Sequence, residues 1–476
     1  MKRVKILFIL LVVSLMFIPS FVYAAPEMPP GEDDSNFSYA GATTFYADKT
    51  ESDKTYSSAK SGVNALLVSG GTNSIKSCTV TKSGDSDGDS ADFYGVNAAI
   101  LVYNGAKLDI ADCTINTNGN HANAVFSYQN GTINISDTTI STSANNSGGL
   151  MVTGGGLLNA DNLTVTTSGN SSAAIRSDRG GGSLLVNNGV YETSGVGSPA
   201  IYSTAKIVAN NAALTSNSSE GVVVEGANSV ELNSCQLVDT NTTLNGNSET
   251  YKNIFLYQSM SGDADSGTAS FVSKNSNITT NKGDTIFVTN TTATIELESN
   301  EIINSDGDFL RIQAGKWGNS GSNGGDVTLS MSKQQVTGGI IVDSISKLDL
   351  SLADGSVLVS AIDTENQGGE VKLKLTEDSV LSLTGDTYVD SLENSDTNNS
   401  NIYSNGQYKL YVKGEEVEIN SDSYVLDVPD DVVPLDNNSG NMIVYFIVGG
   451  VIFLIVLSGI VVFFLDKRKQ KNNKVM

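Results

Sequence analysis

Five consecutive segments between residues 95 and 219 repeat one pattern, and that repeat constrains the fold more than any other feature of the chain. They read GVNAAILVYNGAKLDIADCTINTNG, NHANAVFSYQNGTINISDTTISTSA, NNSGGLMVTGGGLLNADNLTVTTSG, NSSAAIRSDRGGGSLLVNNGVYETSG and VGSPAIYSTAKIVANNAALTSNSS. Three apolar columns emerge when they are aligned. The first is Ile100, Val125, Leu150, Ile175 and Ile201; the second is Ile110, Ile135, Ala160, Leu185 and Ile207; the third is Ile115, Ile140, Val165, Val190 and Leu214. A polar column of Asp112, Asp137, Asn162, Asn187 and Asn211 stands between the second and the third.

Each repeat therefore holds three short runs that alternate apolar and polar residues, broken by Gly, Asn and Asp, with no helical stretch. A unit this small cannot bury its apolar side alone, so it must stack on its neighbours. Three strands per turn, stacked in register about 4.8 Å apart, make a right-handed parallel β-helix. A β-sandwich array would not place like residues in one column at a fixed period. The pattern loosens after residue 245 but persists to NGQYKLYVKG (405–414), a last strand or cap. Residues 56–415 leave room for roughly fourteen coils, or about 65 Å of stacked strands. The fold class expected is all-β, with a lead-in or cap over 25–55.

The cysteines fit this frame. Cys78, Cys113 and Cys235 each stand two residues before the third apolar column, so Cys78 and Cys113 are expected as stacked neighbours. A buried thiol column and a Cys78–Cys113 disulfide both satisfy that placement.

The two ends carry targeting patterns. Lys2, Arg3 and Lys5 precede an apolar run, and Val22-Tyr23-Ala24 offers small residues at a cleavage site, the pattern of a secretory signal peptide over 1–24. Residues 442–465 hold no charge in 24 positions, about 36 Å of helix, enough for one transmembrane span. Five Lys/Arg follow in the tail 466–476, placing it on the cytoplasmic side. Residues 416–441 read as a polar stalk. The expected location is the cell membrane, crossed once, with the N-terminal ectodomain outside. Leaving out the leader, the span and the tail, residues 25–441 keep 20 of the 28 Lys/Arg and 51 of the 52 Asp/Glu, a net −31. That charge excludes nucleic acid as a partner.

The coil pattern, the leader and the C-terminal apolar segment together resemble the pectin-lyase-like right-handed β-helix proteins, and more narrowly the adhesin-like cell-surface β-helix proteins of bacteria and some archaea. The resemblance covers most of residues 56–415. It implies the fold, and it leaves activity open, because the fold hosts lyases, hydrolases, adhesins and passive stalks. No catalytic motif of the family's pectinases transfers to this chain.

Between the first thirty residues and the last dozen only three arginines occur, Arg176, Arg179 and Arg311, and two of them lie in AIRSDRGGG (174–182). With Ile175 inward, Arg176 and Asp178 point outward. Their columns bring up Phe126, Tyr103, Tyr128, Tyr202 and Glu225, the last set outward because Val222 and Val224 take the inward places. Aromatic rings beside a guanidinium and carboxylates suit a sugar-binding face. The same residues also suit ordinary strand surface carrying an Arg176–Asp178 pair worth under ~1 kcal/mol, with Arg179 capping a turn. Asp178 and Glu225, two coils apart, are weak catalytic candidates for an inverting glycosidase, whose carboxyls stand about 6.5–9.5 Å apart, and Arg176 is a weak candidate for a lyase base. His121, the chain's one histidine, reads as a corner residue.

DSDGDSAD (85–92) is inserted between coils. Asp85, Asp87, Asp89 and Asp92 alternate around Gly88 like the start of a calcium loop, although Ser90 and Val96 occupy places that such a loop gives to Gly and Glu. A calcium site and a solvated acidic loop are the two readings, and no cofactor is otherwise required. The functional expectation is a membrane-anchored adhesin or glycan-binding surface protein without catalysis, its partner an extracellular polysaccharide or a cell-surface glycan. The alternatives are a membrane-anchored polysaccharide lyase or glycoside hydrolase, and a structural surface stalk.

Overall fold

A computed structural model describes residues 38–246 and 248–425. The leader (1–24), the apolar segment 442–465, the tail and most of the polar stalk lie outside the described residues. Among the described residues no helix is long and apolar enough to cross a membrane.

The described chain forms a parallel β-solenoid of about 15 turns. Each turn visits three sheets in order. The first sheet runs from Gly41–Phe45 to Ile340–Val342 with 12 strands, and the second from Lys49–Ser52 to Ser391–Asn394 with 14. The third runs from Thr55–Ser58 to Glu301–Asn304 with 10, followed by a 4-stranded sheet from Gln335–Thr337 to Ile402–Tyr403. The first coil begins at Gly41, inside the segment read as a lead-in, because Gly41–Phe45 pairs in parallel with Asn64–Val68. At the other end Leu410–Val412 pairs in parallel with Thr387–Val389 and antiparallel with Glu415–Val417. That turn-back covers the edge of Leu410–Val412.

The first apolar column stands as read. Ile100, Val125, Leu150, Ile175 and Ile201 pair in succession and are fully buried. The other two slip by one residue within the fourth repeat. The loop between Ser177 and Gly182 holds one residue more than its predecessor, so Gly182 pairs with Gly156 where the uniform spacing would put Gly181. Gly182 has φ +149, and a Cβ there would lie 2.4 Å from the Gly156 carbonyl oxygen, so glycine is required. The second column therefore continues from Ala160 through Val186 to Ala209, and Leu185 turns outward. The third runs from Val165 through Tyr191 to Leu214, leaving Val190 47 % exposed.

The polar column is a backbone requirement. Asp112, Asp137, Asn162, Asn188 and Asn211 all take φ between +49 and +58 at the corner between the second and third sheets. Asn and Asp tolerate that left-handed conformation better than other residues with a Cβ. The slip moves the corner from Asn187 to Asn188.

Cys78, Cys113 and Cys235 are buried free thiols, and the Cys78 amide donates to Cys113 Sγ at 3.3 Å.

Candidate functional site

The outward face of the first sheet carries a column that strand pairing fixes as Leu67, Leu101, Phe126, Met151, Arg176, Tyr202, Val223, Phe255, Phe287 and Arg311. The outward direction read for Arg176 and Tyr202 is thus correct. The exposure is not. Phe126 is 0 %, Tyr128 1 %, Asp178 2 % and Glu225 1 % exposed, and only Tyr103, Arg176 and Tyr202 reach solvent in part.

The cover over the early coils is the insertion read as an acidic loop. Its residues Gly88–Tyr94 form a helix that ends at Gly95, which takes φ +72. Tyr94 packs edge-on against Tyr128 with centroids 5.6 Å apart, and Tyr39 lies 4.6 Å from Tyr103. Thr153 donates its hydroxyl to the Phe93 carbonyl at 2.7 Å. A Cβ on Gly95 would stand 2.8 Å from Leu101 Cδ1 and 2.9 Å from Phe126 Cγ, so the helix lies close against the sheet. The rings of Phe126 and Tyr128, expected to receive a ligand, instead pack under Tyr94 and its neighbours.

The four acids of the insertion do not converge. Asp85 accepts the Asn120 amide at 2.7 Å, Asp89 binds Arg179 at 2.9 Å, and Asp92 meets His121 Nδ1 at 2.7 Å. Asp87 precedes the helix and makes no side-chain cap bond. Among the described residues no three or more His, Cys, Asp or Glu side chains are grouped to hold a metal ion. His121 does sit at a corner, with φ +54, its Nε2 within 3.0 Å of Asn146 Nδ2.

The two arginines of AIRSDRGGG have different tasks. Arg176 donates through Nε (3.1 Å) and Nη2 (2.6 Å) to Asp178 Oδ2, and Asp178 Oδ1 accepts the Arg179 amide at 3.1 Å. Loss of water around Asp178, with Asp263 nearby, outweighs the attraction of Arg176 and pushes its carboxyl up to about 6. This is a buried pair and not the surface pair the alternation suggested. Arg179 does more than cap a turn. It joins Asp89 of the insertion to Asp263 (2.7 Å) of a loop three coils later, and its guanidinium lies 3.9 Å from the Phe93 ring centroid. It clasps two excursions across the sheet.

Glu225 is held by two phenols. Tyr202 donates its hydroxyl to Glu225 Oε2, and Tyr257 does so at 3.1 Å. Burial pushes both phenols well above their ordinary range. Beyond them lies a second aromatic cluster, Val223, Phe255, Tyr257 and Phe287 with Tyr202 and Trp317. Phe255 stacks on Tyr257 at 4.4 Å and on Phe287 at 5.6 Å. Lys252 lies 4.5 Å over Phe255 and forms a buried pair with Glu220 at 3.0 Å. This cluster escaped the sequence reading, although Phe255, Tyr257 and Phe287 continue the outward columns of Tyr202 and Glu225.

Between the two covered regions the face stays open. A cleft of about 190 Å³ is lined by Ser171, Ala173, Arg176, Gly197, Pro199 and Tyr202. It adjoins a hollow of about 380 Å³ lined by Asn170, Ser171, Val196, Gly197, Asn245 and Gly246. Neither Asp178 nor Glu225 lines either space. The geometry therefore brings Arg176, Tyr202, Asp178 and Glu225 into one network, with the first two at the opening and the carboxylates beneath.

No known protein family model matches the sequence, and neither a curated protein nor a solved structure matches it.

Proposed function

We propose that this chain is an exported, membrane-anchored β-helix that binds extracellular glycans along its first sheet without turning them over, as an adhesin or glycan-binding surface protein. The observation that carries this reading is the cleft at Arg176 and Tyr202. It offers a guanidinium and a phenol ring to solvent, beside the apolar side chains of Ala173 and Pro199. Ligand sites of this kind combine an apolar wall with a few fixed polar groups.

The absence of turnover is supported by the places of the two candidate carboxylates. An inverting glycosidase needs both acids to face the scissile bond, with space for a water. Asp178 is taken up by Arg176 and the Arg179 amide, and Glu225 Oε2 by two phenols. Burial works against the Arg176 charge, but Asp178, Asp92 and Tyr202 together hold its proton more firmly than in water, which makes it a poor lyase base. Export and anchoring rest on the leader pattern and the apolar segment 442–465.

The test is a glycan array probed with the full chain in detergent, beside a product assay on pectic and host polysaccharides. Retention on glycans with no new reducing ends and no unsaturated uronates is the expected result. New ends would establish a lyase or hydrolase, and absence of any retention would leave a stalk.

A further inference from the structure

We infer that the Arg176–Tyr202 cleft selects neutral, hydroxyl-rich sugars and rejects uronates and other acidic glycans, a specificity that rests on the glycan-binding reading above. A lone arginine at an opening ordinarily invites a carboxylate. Here Asp178 already takes Nε and Nη2 of Arg176, one of the two forked edges of the guanidinium, and its carboxylate answers the charge that would draw an acidic sugar. No hydrogen bond from the described residues reaches Nη1, so the guanidinium offers the cleft a neutral-type donor whose charge is answered from below.

The surroundings deepen the bias. Asp178 and Asp92 both act on Arg176, and Glu225 accepts from the Tyr202 hydroxyl beside it, in a chain of net charge −24. An incoming carboxylate meets repulsion, while a hydroxyl can accept from Nη1 and the ring of Tyr202 can lie against a sugar's C–H face. The adjoining hollow continues the opening past Ser171 and Gly197 to Asn170 and Asn245, side-chain amides that suit hydroxyls and carry no charge.

Gly197 keeps that passage clear. Its φ is +65, and a Cβ there would find its nearest neighbour at 3.6 Å, on the Asn245 amide nitrogen. Asn146 and Ser171 tolerate φ +53 as non-glycine residues elsewhere in this chain. Gly197→Asn should therefore fold and push a side chain into the passage.

The experiment measures binding of the full chain in detergent to neutral β-glucan and mannan oligosaccharides and to oligogalacturonates, at low and high salt. The expected result is binding to a neutral series that salt leaves unchanged. Arg176→Ala and Gly197→Asn each weaken it at least ~10-fold. Asp178→Asn, which removes the charge that answers Arg176, shifts preference toward oligogalacturonate. Preference of the wild-type chain for acidic glycans, lost at high salt, overturns this inference and leaves the glycan-binding reading standing. Neutral binding that survives both Arg176→Ala and Gly197→Asn also overturns it, by placing the site elsewhere. Retention of no glycan at all overturns the glycan-binding reading itself.

Discussion

Replacing Arg176 by alanine should destabilise the protein in a way that depends on pH, and the structure gives both the size and the sign. Asp178 is 2 % exposed, so removing its partner strands a buried carboxylate. Breaking a buried pair from one side costs about 3–5 kcal/mol. The carboxyl can escape by taking a proton. In the wild-type protein it already sits at about 6 against an ordinary 3.8, so the folded state prefers it neutral. A raised carboxyl contributes stability at low pH that is lost as pH rises from about 4 through the folded value, roughly 3 kcal/mol over this span at about 1.4 kcal/mol per unit. Without Arg176 the folded value climbs further, so the loss continues above pH 6. The deficit of Arg176→Ala relative to wild type should be small at pH 4.5 and reach the full 3–5 kcal/mol near pH 8. The assay is denaturant unfolding at the two pH values, followed by the fluorescence of Trp317, the chain's one tryptophan. A deficit under ~1 kcal/mol at pH 8, the range of exposed pairs, would refute the buried-pair argument. An equal deficit at both pH values would refute the titration argument.

Three other outcomes are expected. Ile175→Ala empties a fully buried place in the first column and should lower unfolding free energy by about 2–5 kcal/mol at any pH, checked by the same denaturant series. Gly95→Ala forces a left-handed alanine whose Cβ would meet Leu101 and Phe126; a loss of about 1–3 kcal/mol is expected, with faster amide hydrogen exchange over 88–94 as the insertion helix lifts. Asp239 is buried with Oδ2 unpartnered, and burial pushes its carboxyl up to about 8. Its stabilising neutral form is lost as pH rises from about 4 to about 8, so Asp239→Asn should raise the denaturant midpoint at pH 8.5 and leave it nearly unchanged at pH 4.

The fold could be read from the sequence because stacking makes each coil repeat its neighbour's inward residues. The first column survived intact for that reason. The second and third slipped where the loop after Ser177 gained a residue; the fourth segment's 26 residues show the gain, but nothing local says where in the coil it falls. Leu184, Leu185 and Val186 are all apolar, so either register buries something suitable, and Val190 and Tyr191 are both good strand residues. The site was read with the right direction and the wrong exposure. Alternation says which side of a strand a residue faces, but it does not say what lies over that side. The cover was nonetheless written in the insertion. Phe93 and Tyr94 follow the acids directly, and a solvated calcium loop has no use for two adjacent rings. The partner that buries Asp178 and Arg179 from the other side, the loop holding Asp263, lies more than eighty residues downstream, beyond the reach of any local pattern.

The most direct test of binding without turnover is size-exclusion chromatography of a fluorescent neutral polysaccharide incubated overnight with the full chain in detergent. The label should elute earlier, in complex with the protein, and return to its original position once the protein is removed. Label that elutes later than the untreated polysaccharide would show shortened chains, and the protein would be an enzyme.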